Sequence, residues 1–155
     1  MRNVNAEGRS VSFSVPEVRG KQRARTTRNG TYTPAETRRA MDLVEAEWLA
    51  AVSGTGLPRP LFAAHEPVAV AITTFRPLPE GRPARVGSEP DTFRPDVDNV
   101  AKLVCDALNG LAWADDAQVT YLQVTKMGRR RGQGELTLVH VWPAPGDDGE
   151  GAGDE

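Results

Sequence analysis

The chain has 155 residues, 39% hydrophobic and 26% charged, with a formal net charge of −2 at neutral pH, a length that suits one domain with a core of its own. Cys105 is the single cysteine, which rules out an intrachain disulfide framework and is compatible with a reducing compartment. The first eight residues hold no apolar signal core and the best apolar run, Val68 to Ile72, is five residues, so the expectation is a soluble, cytoplasmic protein that does not enter a membrane.

Residues 1–10 carry no pattern and are expected to be a flexible N-terminus. Val11 to Val15 alternates apolar with polar, the period of a half-buried strand, and Pro16 ends it. From Arg19 to Arg39 the chain is strongly basic: Arg19, Lys21, Arg23, Arg25, Arg28, Arg38 and Arg39 stand against the single acid Glu36. Lys21 to Gly30 lacks periodicity and reads as a basic loop or irregular hairpin turning at Asn29-Gly30. Thr33-Pro34-Ala35-Glu36 has the form of a capping box with proline at the first helical position. Met41, Val44, Trp48 and Val52 then predict an amphipathic helix from about Pro34 to Val52, stopped by Ser53-Gly54-Thr55-Gly56.

Glu66 to Phe75 is rich in β-branched residues and predicts a strand. Leu78 to Pro90, heavy in Pro, Gly and Arg, predicts a long mobile loop. A second helix opens near Asp96, with Val97, Val100, Val104, Leu108 and Leu111 on its apolar stripe and Asn109-Gly110 at its end. Val119 to Val124 and Leu136 to Trp142 predict two more strands, joined as a hairpin by a basic segment with Lys126, Arg129, Arg130 and Arg131. The order strand-helix-strand-helix-strand-strand predicts an α+β domain over residues 11–142, a mixed sheet covered by two helices. Residues 143–155 form an acidic tail expected to be disordered; without its Asp147, Asp148, Glu150, Asp154 and Glu155 the net charge would be +3 rather than −2. Two basic runs flanking an acidic cluster are the electrostatic footprint of a phosphate-backbone binder.

The acidic cluster is Asp96-Val97-Asp98-Asn99 with Lys102, then Asp115-Asp116-Ala117-Gln118. Helical spacing puts Asp98, Lys102 and Asp106 on one polar stripe. Two carboxylates about 4 Å apart repel by about 4 kcal/mol at an effective dielectric near 20. Carboxylates gathered in one place must therefore raise a pKa or bind a cation. With no His or Cys beside them, oxygen ligands point to a hard ion, Mg²⁺ or Mn²⁺. Each part also has a structural reading: Asp96 as a helix cap, Asp98 and Lys102 as a surface ion pair, Asp115-Asp116 as a turn, and Asp106 as an exposed or structural carboxylate. His65 and His140 read as structural, Trp48 and Trp142 as core, and Trp113 as packing beneath the second acidic pair.

Arg94-Pro95-Asp96-Val97-Asp98-Asn99 with Lys102, Asp106-Ala107-Leu108-Asn109-Gly110, and Trp113 to Val119 together resemble the RusA-like crossover junction endodeoxyribonucleases of bacteria and their phages. More weakly, Gly20 to Arg25 and Tyr32-Thr33-Pro34 resemble the basic loop and helix entry of many phage members. The resemblance spans most of residues 11 to 142. It implies a homodimer that binds four-way (Holliday) junctions or other branched DNA and cuts it symmetrically with Mg²⁺, in recombination, repair or phage DNA processing. Carried over by position, Asp96, Asp98 and Asp116 would be the essential acids and metal ligands, with Asp115 the neighbouring alternative, and Lys102 the functional lysine. Lys21, Arg23, Arg25, Arg94, Lys126, Arg129 and Arg130 would hold the DNA arms. The competing reading is a catalytically inert branched-DNA-binding protein.

Overall fold

The computed structural model describes residues 1–146. Its strands are β1 (Arg2–Asn5), β2 (Ser10–Val15), β3 (Arg25–Thr27), β4 (Gly30–Tyr32), β5 (Val68–Phe75), β6 (Ser88–Glu89), β7 (Val119–Lys126), β8 (Arg129–Arg130) and β9 (Leu136–Pro143), and its helices are α1 (Ala35–Val52) and α2 (Val97–Leu108). A 3-10 turn at Asp116–Gln118 leads into β7.

The architecture is α+β, with a mixed five-stranded sheet in the order β1-β2-β9-β5-β7 and two helices. β5 runs parallel to β7 and antiparallel to β9. The expected hairpin between the last two long strands does not form, because β5 lies between them. In both registers β5 aligns its own apolar residues, Val70 and Ile72, with Val141 and Val139 on one side and with Leu122 and Val124 on the other. The simple six-element order is also incomplete. It omits β1, the β3–β4 hairpin, and the β6–β8 pair.

Three local expectations change. Residues 2–5, expected to be flexible, form an edge strand in register with β2, from Arg2 opposite Phe13 to Asn5 opposite Ser10. Thr33 does not cap α1; Pro34 occupies that position and no side chain caps the helix. The loop expected over Leu78 to Pro90 is tied down, since Arg82 and Arg129 both pair with Glu89 and β6 pairs with β8. The acidic tail after residue 146 lies outside the described residues.

The core lies between the helices and one face of the sheet. Val11, Phe13, Val15, Val68, Val70, Ile72, Val139 and Val141 meet Val44 and Trp48 of α1 and Val100, Leu103, Val104, Ala107 and Leu108 of α2. Phe13 meets the Trp48 ring edge-on, with centroids 6.2 Å apart. Each fully buried Val, Leu or Phe contributes about 1.5–3 kcal/mol by leaving water, so the apolar stripe of α2 fixes which of its faces looks outward. That outward face carries Asp98 and Lys102. No described helix is long and apolar enough to cross a membrane.

Candidate active site

The first turn of α2 borders an open cleft of about 770 Å³. Its rim holds Arg19, Lys21, Arg23, Arg76, Arg94 and Lys102 against Glu36, Asp96, Asp98 and Glu135. Gly20 brings the basic segment flush against the helix: a Cβ there would meet Cβ of Pro95 at 2.7 Å and Cβ of Asn99 at 3.0 Å. The adjoining amide of Lys21 donates to the Asn99 carbonyl over 2.9 Å. A glycine is therefore required for the loop to dock.

Asp96 sits at the N-cap of α2, yet its carboxylate makes no capping hydrogen bond. A side chain in that position usually satisfies a free N–H of the first turn. Asp98 is 65% exposed and faces Lys102 at 3.8 Å, too long for a strong pair. Both carboxylates thus border the cleft without being committed to the fold.

A second group gathers at the other end of α2. Asp115 spends its carboxylate on the 3-10 turn: Oδ1 accepts from the Ala117 N–H over 3.0 Å, and Gln118 completes a capping box. Gln118 is buried and pins a loop as well, donating to the carbonyls of Ala63 and Glu66. The neighbouring Asp116 accepts from the indole N–H of fully buried Trp113 over 2.7 Å. Burial pushes the Asp116 carboxyl above its ordinary range, and the charges of Asp106 and Asp115 add to this, against the Trp113 hydrogen bond and the Lys21 charge. Lys21 forms an ion pair with Asp106. Cys105, between these groups, is pushed up to about 12 by burial and by the charges of Asp116 and Asp106, which makes it an inert thiol.

The expected convergence of three acids is not what the described residues form. None of their Asp, Glu, His and Cys side chains gather in threes able to hold a metal. The ionic neighbours of Asp116 are Asp106, Asp115 and Lys21, and Asp106 stands eight residues along α2 from Asp98, about 12 Å of helical rise. Of the two candidates for the later acid, Asp115 is consumed as a cap, while Asp116 is held by Trp113 and has its pKa raised by burial.

The basic residues divide in the same way. Lys21, Arg23 and Arg94 border the cleft, and Arg25 lies on the exposed β3. Lys126 and Arg129, expected to contact DNA, are turned inward with side chains 12% and 10% exposed. Lys126 donates to the Phe93 carbonyl, and Arg129 pairs with Glu89 and lies over the Phe93 ring at 3.9 Å. Of that run, Arg130 remains exposed. Sequence reasoning missed Arg76, which grips buried Asp91 through two hydrogen bonds of 2.9 and 2.6 Å while bordering the cleft. No local motif links two residues fifteen positions apart.

Fold and site together define an α+β domain with two carboxylates on one helix edge, in a cleft rimmed by basic side chains. Residues 15–138 match the family Endodeoxyribonuclease RusA. The chain belongs to the RusA endodeoxyribonuclease family. It is also 35% identical over 83 residues to "Uncharacterized protein YqaN" of Bacillus subtilis (strain 168), a match covering 48% of this chain and 58% of that protein. The chain therefore spans little more than half the length of that relative.

Proposed function

We propose that the chain is a Mg²⁺-dependent, structure-selective endodeoxyribonuclease that resolves Holliday junctions or other branched DNA, as a homodimer, by paired phosphodiester hydrolysis. Residues 11–142, with β1 added at the sheet edge, act as its single nuclease domain. Carriage of this reading falls to one observation: two uncommitted carboxylates, Asp96 and Asp98, stand in a cleft rimmed by Arg19, Lys21, Arg23, Arg76, Arg94 and Lys102.

The donor set suits the ion. Mg²⁺ keeps several of its waters and is commonly bound through one or two carboxylates plus substrate phosphate, so Asp96 and Asp98 can serve without a closed cage. Mn²⁺ accepts the same oxygen donors. When bound, such an ion supplies Lewis-acid polarisation of the phosphate and activation of water. Asp116 is the third acid of the proposed set by its position in the Trp113-Ala114-Asp115-Asp116 motif; burial first, then the charges of Asp106 and Asp115, raises its pKa. Lys102, on the turn above Asp98, places positive charge beside the scissile phosphate and favours the charge that builds there. Arg23, Arg25 and Arg94 hold the DNA arms through phosphate contacts that position the substrate without reading sequence.

That no three of the described Asp, Glu, His and Cys side chains gather as a metal-holding group favours, as a second reading, an inert branched-DNA-binding protein. Cutting rates on a four-way junction, a fork and a linear duplex, with and without Mg²⁺, test the proposal. The nuclease reading expects Mg²⁺-dependent cutting fastest on the junction. Tight junction binding with no cutting in Mg²⁺ or Mn²⁺ supports the inert reading instead.

A further inference from the structure

Two apolar side chains stand in the open on either side of Asp96 in the sequence. Phe93 is 45% exposed, and Val97, which the helical period assigns to the buried stripe, is 44% exposed. Single exposed apolar residues are ordinary on a protein surface and need no function. Phe93 differs in how much of the fold is committed to holding it. Its carbonyl accepts from Arg76 over 3.3 Å and from the Lys126 ammonium. Its N–H donates over 3.4 Å to Asp91, a buried carboxylate that Arg76 grips in turn. The Arg129 guanidinium covers the ring at 3.9 Å from its centroid.

Three largely buried cations thus converge on one phenylalanine. The backbone ties to Arg76, Lys126 and Asp91 fix where Phe93 stands, and Arg129 backs its ring. Burying the ring, as Phe13 and Phe62 are buried, would stabilise the fold more. Instead it is held at the surface beside the cleft, which Arg76 and the adjoining Arg94 both border. The three residue steps from Phe93 to Asp96 span at most about 11 Å. At ~3.4 Å per nucleotide along one strand, that is about three nucleotides from a phosphate held at Asp96.

We propose that the Phe93 ring stacks on a base laid open at the branch point of the DNA, and that this contact gives the protein a preference for branched over linear DNA. The inference rests on the branched-DNA reading above and adds to it the residue that senses the branch. In a continuous duplex the neighbouring bases cover both faces of each base, so a surface ring finds nothing to stack on. Where strands exchange, the stack is interrupted and a base face becomes free. Every base has such a face, so the contact tolerates any sequence. The cations on the cleft rim cannot make this distinction, because duplex and junction both carry the phosphates they meet. A ring already fixed before DNA arrives also loses little freedom on contact. Val97 extends the same apolar surface past Asp96, where a phosphate contact alone would call for none.

Binding of a four-way junction and of a linear duplex with the same arm sequence, both in EDTA so that neither is cut, tests the ring. The quantity read is the ratio of duplex Kd to junction Kd. Phe93→Leu keeps an apolar side chain against Arg129 and removes the flat face. Its ratio is expected to fall by a factor on the order of 10 or more, with the junction Kd carrying the change. Phe93→Trp restores a ring and is expected to recover the ratio. Junctions with one abasic site near the branch probe the same contact from the DNA side. At one such position wild type is expected to lose affinity, while Phe93→Leu loses little further. Wild type with no preference for the junction removes the branched-DNA reading, and this contact with it. A wild-type preference that Phe93→Leu retains, with wild-type circular dichroism, leaves that reading standing and overturns the role of the ring. Wild type indifferent to abasic sites at every branch position overturns it too, whether or not Phe93→Leu folds.

Discussion

The indole N–H of Trp113 donates to Oδ1 of Asp116 across 2.7 Å, fixing a partly buried carboxylate between the charges of Asp106 and Asp115. Burial and those charges raise its pKa, so the folded chain holds the Asp116 proton more tightly than the unfolded chain does. The stability this provides is present below the unfolded value of about 4 and is lost as pH rises through the folded value. At neutral pH the ionised group is a liability. Asp116→Asn keeps an oxygen for Trp113 and removes the charge. It is expected to raise the melting temperature at pH 7, with the gain shrinking toward pH 4, and to lose nuclease activity. Thermal melts across that range check the sign, and an equal or lower melting temperature at pH 7 counts against it.

Arg76 and Asp91 form a largely buried ion pair, with side chains 18% and 1% exposed. Burial alone would raise the Asp91 pKa, but the Arg76 hydrogen bonds and charge, the Lys126 charge and the Phe93 N–H outweigh it, and the net shift is downward. Arg76→Ala leaves that carboxylate buried with Lys126 at 3.9 Å as its remaining cation. The expected cost is about 3 kcal/mol, read by urea denaturation at neutral pH. The pair's stabilisation is present above the unfolded carboxyl pKa and lost as pH falls through the lowered folded value, so the wild-type advantage narrows in acid.

Lys126 and Arg129 should behave as structural residues. Arg129→Ala removes the pairing with Glu89 and the stacking over Phe93, and is expected to lower stability by about 1–2 kcal/mol. Junction affinity, measured at fixed salt on folded protein, is expected to change little. A large loss of affinity with unchanged stability would return Arg129 to the DNA surface.

Lys21 is expected to do the opposite. Its pair with Asp106 is about one-third exposed on each side, so Lys21→Met should cost no more than about 1 kcal/mol of stability. The loss of a phosphate-facing cation, and of the tie that holds the basic segment on α2, should weaken junction binding. It should also reduce the slope of log affinity against log salt by about one. An unchanged slope would confine Lys21 to its pairing with Asp106.

Much of this molecule was legible in its sequence because the signals were local and periodic. Val11 to Val15, the β-branched run of β5, and the apolar stripe of α2 each predict an element within a residue or two of its observed ends. What failed was non-local. Sheet order is set by which strands share a register, and nothing in the spacing of β7 and β9 reveals that β5 comes between them. Cap identity failed at Thr33 because Pro34 itself takes the boundary position. At the site, the acids of α2 were placed by helical period. The roles of Asp115 and Gln118 depended on contacts with Ala117, Ala63 and Glu66 that the motif does not state. Charge alone could not separate Arg23, bordering the cleft, from Arg129, which is spent on Glu89.

The most direct test is cleavage of a synthetic four-way junction by wild type and by Asp98→Asn, each with and without Mg²⁺. Wild type should cut at two symmetric positions only when the ion is present. Asp98→Asn should bind the junction as well or better, because a negative charge has left the cleft, while its cutting rate falls by a factor on the order of 10² or more. Undiminished turnover by that variant, or cutting by wild type after the divalent ion has been chelated away, would contradict a metal-dependent site built on α2.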